Sequence, residues 1–141
     1  MKSDRGGVTA EQVYFARDLP NSIGGSVLVG DYLYGTAQPG LVAVEFATGK
    51  VKWQAESIGR GSLAYADGLL YLHGENGDVA LVEATPDAYR EKGRFTPPVQ
   101  PKRRVLGPYP EKAWAYPVIA NGRLYIRDNE TLWAYDIKAS R

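Results

Sequence analysis

Apolar and polar residues alternate along this chain in short runs that double back at two-residue breaks. Ser26-Val27-Leu28-Val29 meets Gly30-Asp31 and resumes as Tyr32-Leu33-Tyr34. Leu63-Ala64-Tyr65-Ala66 meets Asp67-Gly68 and resumes as Leu69-Leu70-Tyr71-Leu72. Val118-Ile119-Ala120 meets Asn121-Gly122 and resumes as Arg123-Leu124-Tyr125-Ile126. A period of two puts successive side chains on opposite faces of a strand. Asp-Gly and Asn-Gly suit tight hairpins because both central residues need positive φ. The pattern therefore predicts three hairpins, each made of a strand A and a strand B.

A third strand, C, follows each hairpin: Leu41-Val42-Ala43-Val44-Glu45, then Val79-Ala80-Leu81-Val82-Glu83, then Leu132-Trp133-Ala134-Tyr135-Asp136. Each ends on an acid, and an acid repeated in every unit reads as structural, a carboxylate accepting backbone N–H bonds at each turn. A fourth strand, D, is predicted over residues 50–54 with Trp53, and over residues 89–95 with Phe95 in the tryptophan's place. The third unit has no D strand. Residues 12–17, Gln-Val-Tyr-Phe-Ala-Arg, read like residues 50–55, with Phe15 opposite Trp53. The order is thus D, ABCD, ABCD, ABC, which marks a repeat array. The expected layout is a flexible segment over 1–11, then a three-blade unit over 12–136, then a tail over 137–141. Within the unit lie an outer strand over 12–18, blade one over 26–56, blade two over 62–96, a long loop over 97–115, and blade three over 116–136 lacking its outer strand.

Composition narrows the possibilities. Of the 141 residues 44% are hydrophobic, which suits one globular domain. The net charge of +1, with both signs mixed along the chain, gives no general attraction to nucleic acid or an anionic membrane. No apolar run approaches a membrane span. The first seven residues have no apolar signal core, so the chain either stays in the cytosol or begins after a removed leader. Cysteine is absent, which excludes disulfides and thiolate sites. The ten tyrosines, three tryptophans and sixteen glycines suit short strands and tight turns.

The run Ala43-x-Glu45-x-x-Thr48-Gly49-Lys50-x-x-Trp53 resembles the tryptophan-docking motif of the PQQ-like β-propeller repeat, with Glu45 where that motif has Asp. Residues 81–95 and 121–136 resemble divergent units of the same family. The resemblance implies an all-β fold of propeller blades, each of four antiparallel strands, with about three blades in this chain. It implies blade-packing roles for Trp53, Phe15, Phe95 and Gly49, joined by the hairpin tyrosines Tyr34, Tyr71 and Tyr125. Family members include quinoprotein dehydrogenases and a scaffold lipoprotein of outer-membrane assembly, so an exported or periplasmic place is implied if the chain is a piece of something longer. The dehydrogenases hold their quinone with a cysteine pair and a calcium site. None of those ligands maps onto this chain, so no cofactor and no enzymatic activity are expected. A quinoprotein-type oxidoreductase, or its remnant, is the alternative reading.

Propellers typically close with four to eight blades. Three blades leave open edges that invite pairing. The expectation is that residues 12–18 of one copy complete blade three of the next. A homodimer would close six blades and a trimer nine; the homodimer is favoured because six lies in the usual range. A fragment of a longer propeller is the alternative. Loop-built rims carry most propeller ligands, and here the rim would present Asn21, Arg60, Asn76, Arg127, Asp128 and Glu130 to an unknown protein or small ligand. Tyr109, Trp114 and Tyr116 form an aromatic group in the long loop suited to a partner surface. Lys102-Arg103-Arg104 reads as a solvated loop. His73, the single histidine, lacks the partners a metal site needs.

Overall fold

The computed structural model describes residues 2–4, 7–17, 19–20, 22 and 24–138. Among them there is no helix, and the sheets are antiparallel throughout. Blade one is β3 (Ser26–Val29), β4 (Tyr32–Thr36), β5 (Leu41–Glu45) and β6 (Val51–Ala55), paired in chain order. Blade two repeats this with β7 (Gly61–Ala66), β8 (Leu69–Gly74), β9 (Val79–Glu83) and β10 (Glu91–Phe95). Blade three has β13 (Val118–Ala120), β14 (Arg123–Asp128) and β15 (Thr131–Asp136), and no fourth strand pairs with β15 among the described residues. The hairpin signals act as expected: Asp67 and Gly68 have φ of 49° and 80°, and Asn121 and Gly122 have 52° and 70°.

The sheets stack face to face. The inner strand β7 lies beside both β3 and β13. One face of blade two buries Leu63, Leu70, Leu72, Ala80 and Val82 against Tyr34, Leu41 and Ala43 of blade one. Its other face buries Tyr71 and Val79 against Leu124 and Ile126 of blade three. Strict alternation along β7–β9 makes this two-sided burial possible. Thr36 ties the first junction from below, donating its hydroxyl to the Gly61 carbonyl at 2.5 Å.

Aromatic side chains hold the outer parts of both junctions. Trp53 sits between Tyr34 and Tyr89, with ring centroids at 6.2 and 6.0 Å. Phe95 meets Tyr135 edge-on at 4.9 Å. Tyr34 and Tyr71 are buried and Tyr125 is half-buried. Trp133 donates its indole N–H to the Pro98 carbonyl at 3.0 Å and so pins the exit from blade two. Gly49, buried at φ +74°, accepts the ring of Tyr14; a Cβ there would lie 2.7 Å from it.

Several expectations need correction. The first eleven residues contain a short hairpin, β1 (Lys2–Asp4) with β2 (Gly7–Thr9). Residues 12–17 form no strand within their own chain. Instead Tyr14 donates its hydroxyl to the Phe46 carbonyl at 2.8 Å, across the turn that closes β5. Phe15 does not pack between blades in this chain; it is 74% exposed. The long loop has a two-stranded ladder of its own, β11 (Val105–Leu106) with β12 (Tyr109–Pro110). The turn acids have different partners in each unit. Glu45 accepts the Thr48 hydroxyl, Glu83 pairs with Arg90 and Lys92, and Asp136 accepts the Lys138 N–H at 3.0 Å.

Candidate rim groove

The long loop between blades two and three folds back over one rim of the stack. Its anchor is Arg103, which reaches the end of β14 and pairs with Asp128 at 2.5 Å. The Asp128 side chain is 1% exposed and that of Arg103 only 19%, so this cation belongs to the interior and not to a solvated run. Arg103 also donates to the Glu111 carbonyl at 3.3 Å. Gly77, at φ +93°, makes the passage possible: a Cβ there would lie 2.9 Å from the Arg103 guanidinium and 3.4 Å from the Asp128 carboxylate.

Farther along, the loop is laced to blade two. Ala113 donates its N–H to the Glu75 carbonyl at 2.9 Å, and Lys112 pairs with the Glu75 carboxylate at 3.3 Å. The Ala115 carbonyl accepts from the Ser62 hydroxyl at 3.0 Å and lies 3.0 Å from His73 Nδ1. A carbonyl can only accept, so Nδ1 carries the proton. His73 is fully buried, and its Nε2 has no hydrogen-bond partner among the described residues. Burial lowers its pKa, and the Ala115 hydrogen bond opposes this only in part. His73 therefore serves as a neutral strut under the loop.

Between loop and rim runs an open groove of about 930 Å³. Arg60, Arg127 and Asp128, three of the expected rim residues, line it together. Asn76 lies next to it, in a smaller recess shared with Arg60. Its amide is engaged locally, donating to Asp78 at 2.8 Å within the turn. Glu130 is exposed and does not line the groove, and Asn21 lies outside the described residues. The loop contributes Tyr109, Glu111 and Trp114 to the opposite wall. Of these the sequence had flagged the two aromatics, 72% and 54% exposed. Glu111 and Lys112 carried no signal beyond their charge, because only the fold of the loop brings them to the rim, whereas Glu75 sits there in the turn after β8, beside Asn76.

Each acid of the groove is engaged. Asp128 has Arg103, Glu75 has Lys112, and Glu111 accepts from the Arg104 N–H and the Asn129 amide, both at 3.2 Å. Arg60 and Arg127 are exposed and, among the described residues, no carboxylate pairs with either. Arg60 donates to the neutral Gln38 side chain at 2.6 Å. A quinone-and-calcium site of the quinoprotein kind does not fit here. Its calcium needs several free oxygen ligands, whereas the groove carboxylates are taken and no group of three His, Asp or Glu is placed to hold a metal among the described residues.

A comparison with curated proteins gives no significant match. Residues 38–141, from the end of β4 through blade three, match the family described as outer membrane protein assembly factor BamB. With the stacked four-stranded blades and the docked Trp53, that match places the chain in the BamB-like family of PQQ-repeat propellers.

Proposed function

We propose that the chain is a noncatalytic propeller module, an interaction scaffold that assembles with a second copy of itself by strand exchange. Two observations support the reading: among the described residues β15 has no outer partner, and at the far end of the chain, against blade one, lies an exposed copy of the strand type that would cover it. In blades one and two the equivalent edges of β5 and β9 are paired by β6 and β10. Residues 12–17 repeat the pattern of β6, with Val13 in the place of Val51 and Phe15 in the place of Trp53. In β6 those two positions are half-buried; in the N-terminal segment they are 82% and 74% exposed. Large apolar side chains at alternate positions facing water, in a chain that also leaves a strand edge unpaired among its described residues, favour association. Blade three also presents Val118 and Leu132, 54% and 64% exposed, on the face away from blade two.

The noncatalytic part is supported by the groove, whose acids are committed to ion pairs and hydrogen bonds and whose nearby histidine is buried and neutral. The family description, an assembly factor, accords with a scaffold.

Light scattering on the purified chain tests the reading. The full chain is expected to run at twice its 15.5 kDa. Phe15→Asp should return it to a monomer, because a carboxylate cannot enter the apolar junction. A full chain that stays monomeric at micromolar concentration overturns the assembly.

A further inference from the structure

We infer that the rim groove takes a short acidic segment of another protein, with carboxylates on Arg60 and Arg127 and an apolar or aromatic side chain against Trp114 and Tyr109. The inference deepens the scaffold reading above and rests on it.

Charge accounting within the groove points to this ligand. The wall carries cations and carboxylates in equal number, yet they are not equally available. Asp128 is sealed under Arg103, Glu75 is paired with Lys112, and Glu111 is held by a backbone N–H and the Asn129 amide. The two cations left over are Arg60 and Arg127, both exposed. A guanidinium presents a planar fork that matches a carboxylate in two parallel hydrogen bonds. The groove therefore offers anion-binding forks although its formal charges balance.

The opposite wall adds the apolar part. Trp114 and Tyr109 are exposed aromatics held by a loop that Arg103, Lys112 and the Ala115 carbonyl fix in place. Tryptophan, tyrosine and arginine dominate protein-recognition sites, the two aromatics because they give much contact area for little lost side-chain freedom and arginine because its guanidinium fork pairs and stacks. An open trough of about 930 Å³ suits an extended segment. Single-stranded nucleic acid also stacks on aromatics, but its continuous phosphate charge would run past Glu75 and Glu111, and two free cations are few for it.

Fluorescence anisotropy tests the assignment with three labelled probes: a short peptide alternating glutamate and phenylalanine, its counterpart with lysine for glutamate, and an oligodeoxythymidine. The acidic peptide is expected to bind best and to weaken as salt is raised. Arg60→Gln and Arg127→Gln should each weaken it roughly tenfold, and Trp114→Ala should do so at unchanged salt dependence. Among the described residues neither arginine is ion-paired and Arg60 has only an exposed hydrogen bond to Gln38, so both variants should keep close to the parent melting temperature and the parent mass in solution. Equal binding of the lysine peptide, tighter binding of the oligonucleotide, or undiminished binding by the double arginine variant overturns the assignment. Light scattering on the same samples separates the two readings. A monomer that binds the acidic peptide sinks the assembly alone, and a dimer indifferent to it sinks the groove assignment alone.

Discussion

The indole N–H of Trp53 on blade one donates to the Thr85 carbonyl of blade two at 2.9 Å. One side chain thus supplies both the apolar filling and the polar latch of a blade junction. Its six-membered neighbours Tyr34 and Tyr89 close over it, and burial pushes the pKa of Tyr34 up to about 12. Trp53→Ala should cost about 3 kcal/mol, since a large half-buried ring leaves a void and an unanswered carbonyl. The denaturant midpoint measures it, and an unchanged midpoint would mean the ring contributes nothing to the junction.

The second junction has phenylalanine where the first has tryptophan, and it is less full. A mostly apolar cleft of about 500 Å³ remains between blades two and three, bordered by Phe95, Leu81, Tyr135 and Ile137. The Tyr135 hydroxyl is buried there without a partner among the described residues. Phe95→Trp should raise stability by about 1 kcal/mol by occupying that space. A fall in the thermal midpoint would show that the cleft is closed in solution.

Arg103 and Asp128 form the loop's buried ion pair, and its loss should be asymmetric. Arg103→Ala leaves a carboxylate in the interior and should cost about 3 kcal/mol. The double change Arg103→Met with Asp128→Leu removes both charges and should recover most of that loss. Chemical denaturation of the two variants checks this. Equal destabilisation would assign the cost to lost packing and not to the stranded charge.

His73 makes stability depend on pH in a defined direction. Its pKa in the folded chain lies below the ordinary value of about 6.5. The unfolded chain therefore takes up the proton first, and unfolding gains from acid. Stability should be full above pH 6.5, decline as pH falls toward the depressed folded value, and level off beneath it. Asn at position 73 keeps an N–H near the Ala115 carbonyl but does not titrate, so His73→Asn should flatten this part of the curve. Thermal melts at stepped pH values report it. A parent-like slope in the variant would move the effect to another group.

The strands were legible because their signals are local. A period of two, a two-residue break and a trailing acid fit within a dozen positions, and β3, β5, β9 and β13 have the bounds those signals imply. Of the D strands, β6 sits one residue later than expected, and β10 begins two residues later but ends at Phe95 as expected; each carries an internal register slip, at Ala43/Val44 and Glu91/Gly93. What was not legible depends on distant partners. Nothing around Arg103 announces an aspartate far along the chain, and three adjacent cations ordinarily face water. The rim arginines could be placed by counting along the repeat, whereas Glu111 and Lys112 reach the groove through a loop that has no periodicity. By pattern Phe15 is expected in a D strand, but residues 12–17 form no strand within their own chain and Phe15 is exposed, because a pattern read on one chain carries no information on where the segment packs.

Blade two supplies a wall to two of the three hydrophobic clusters, one on each of its faces, while the third lies on the far face of blade one around Val42 and Val44. Were it to loosen, its two neighbours would lose those covers together. Heat should therefore melt the array in a single cooperative step, with the middle sheet acting as the keystone of the chain.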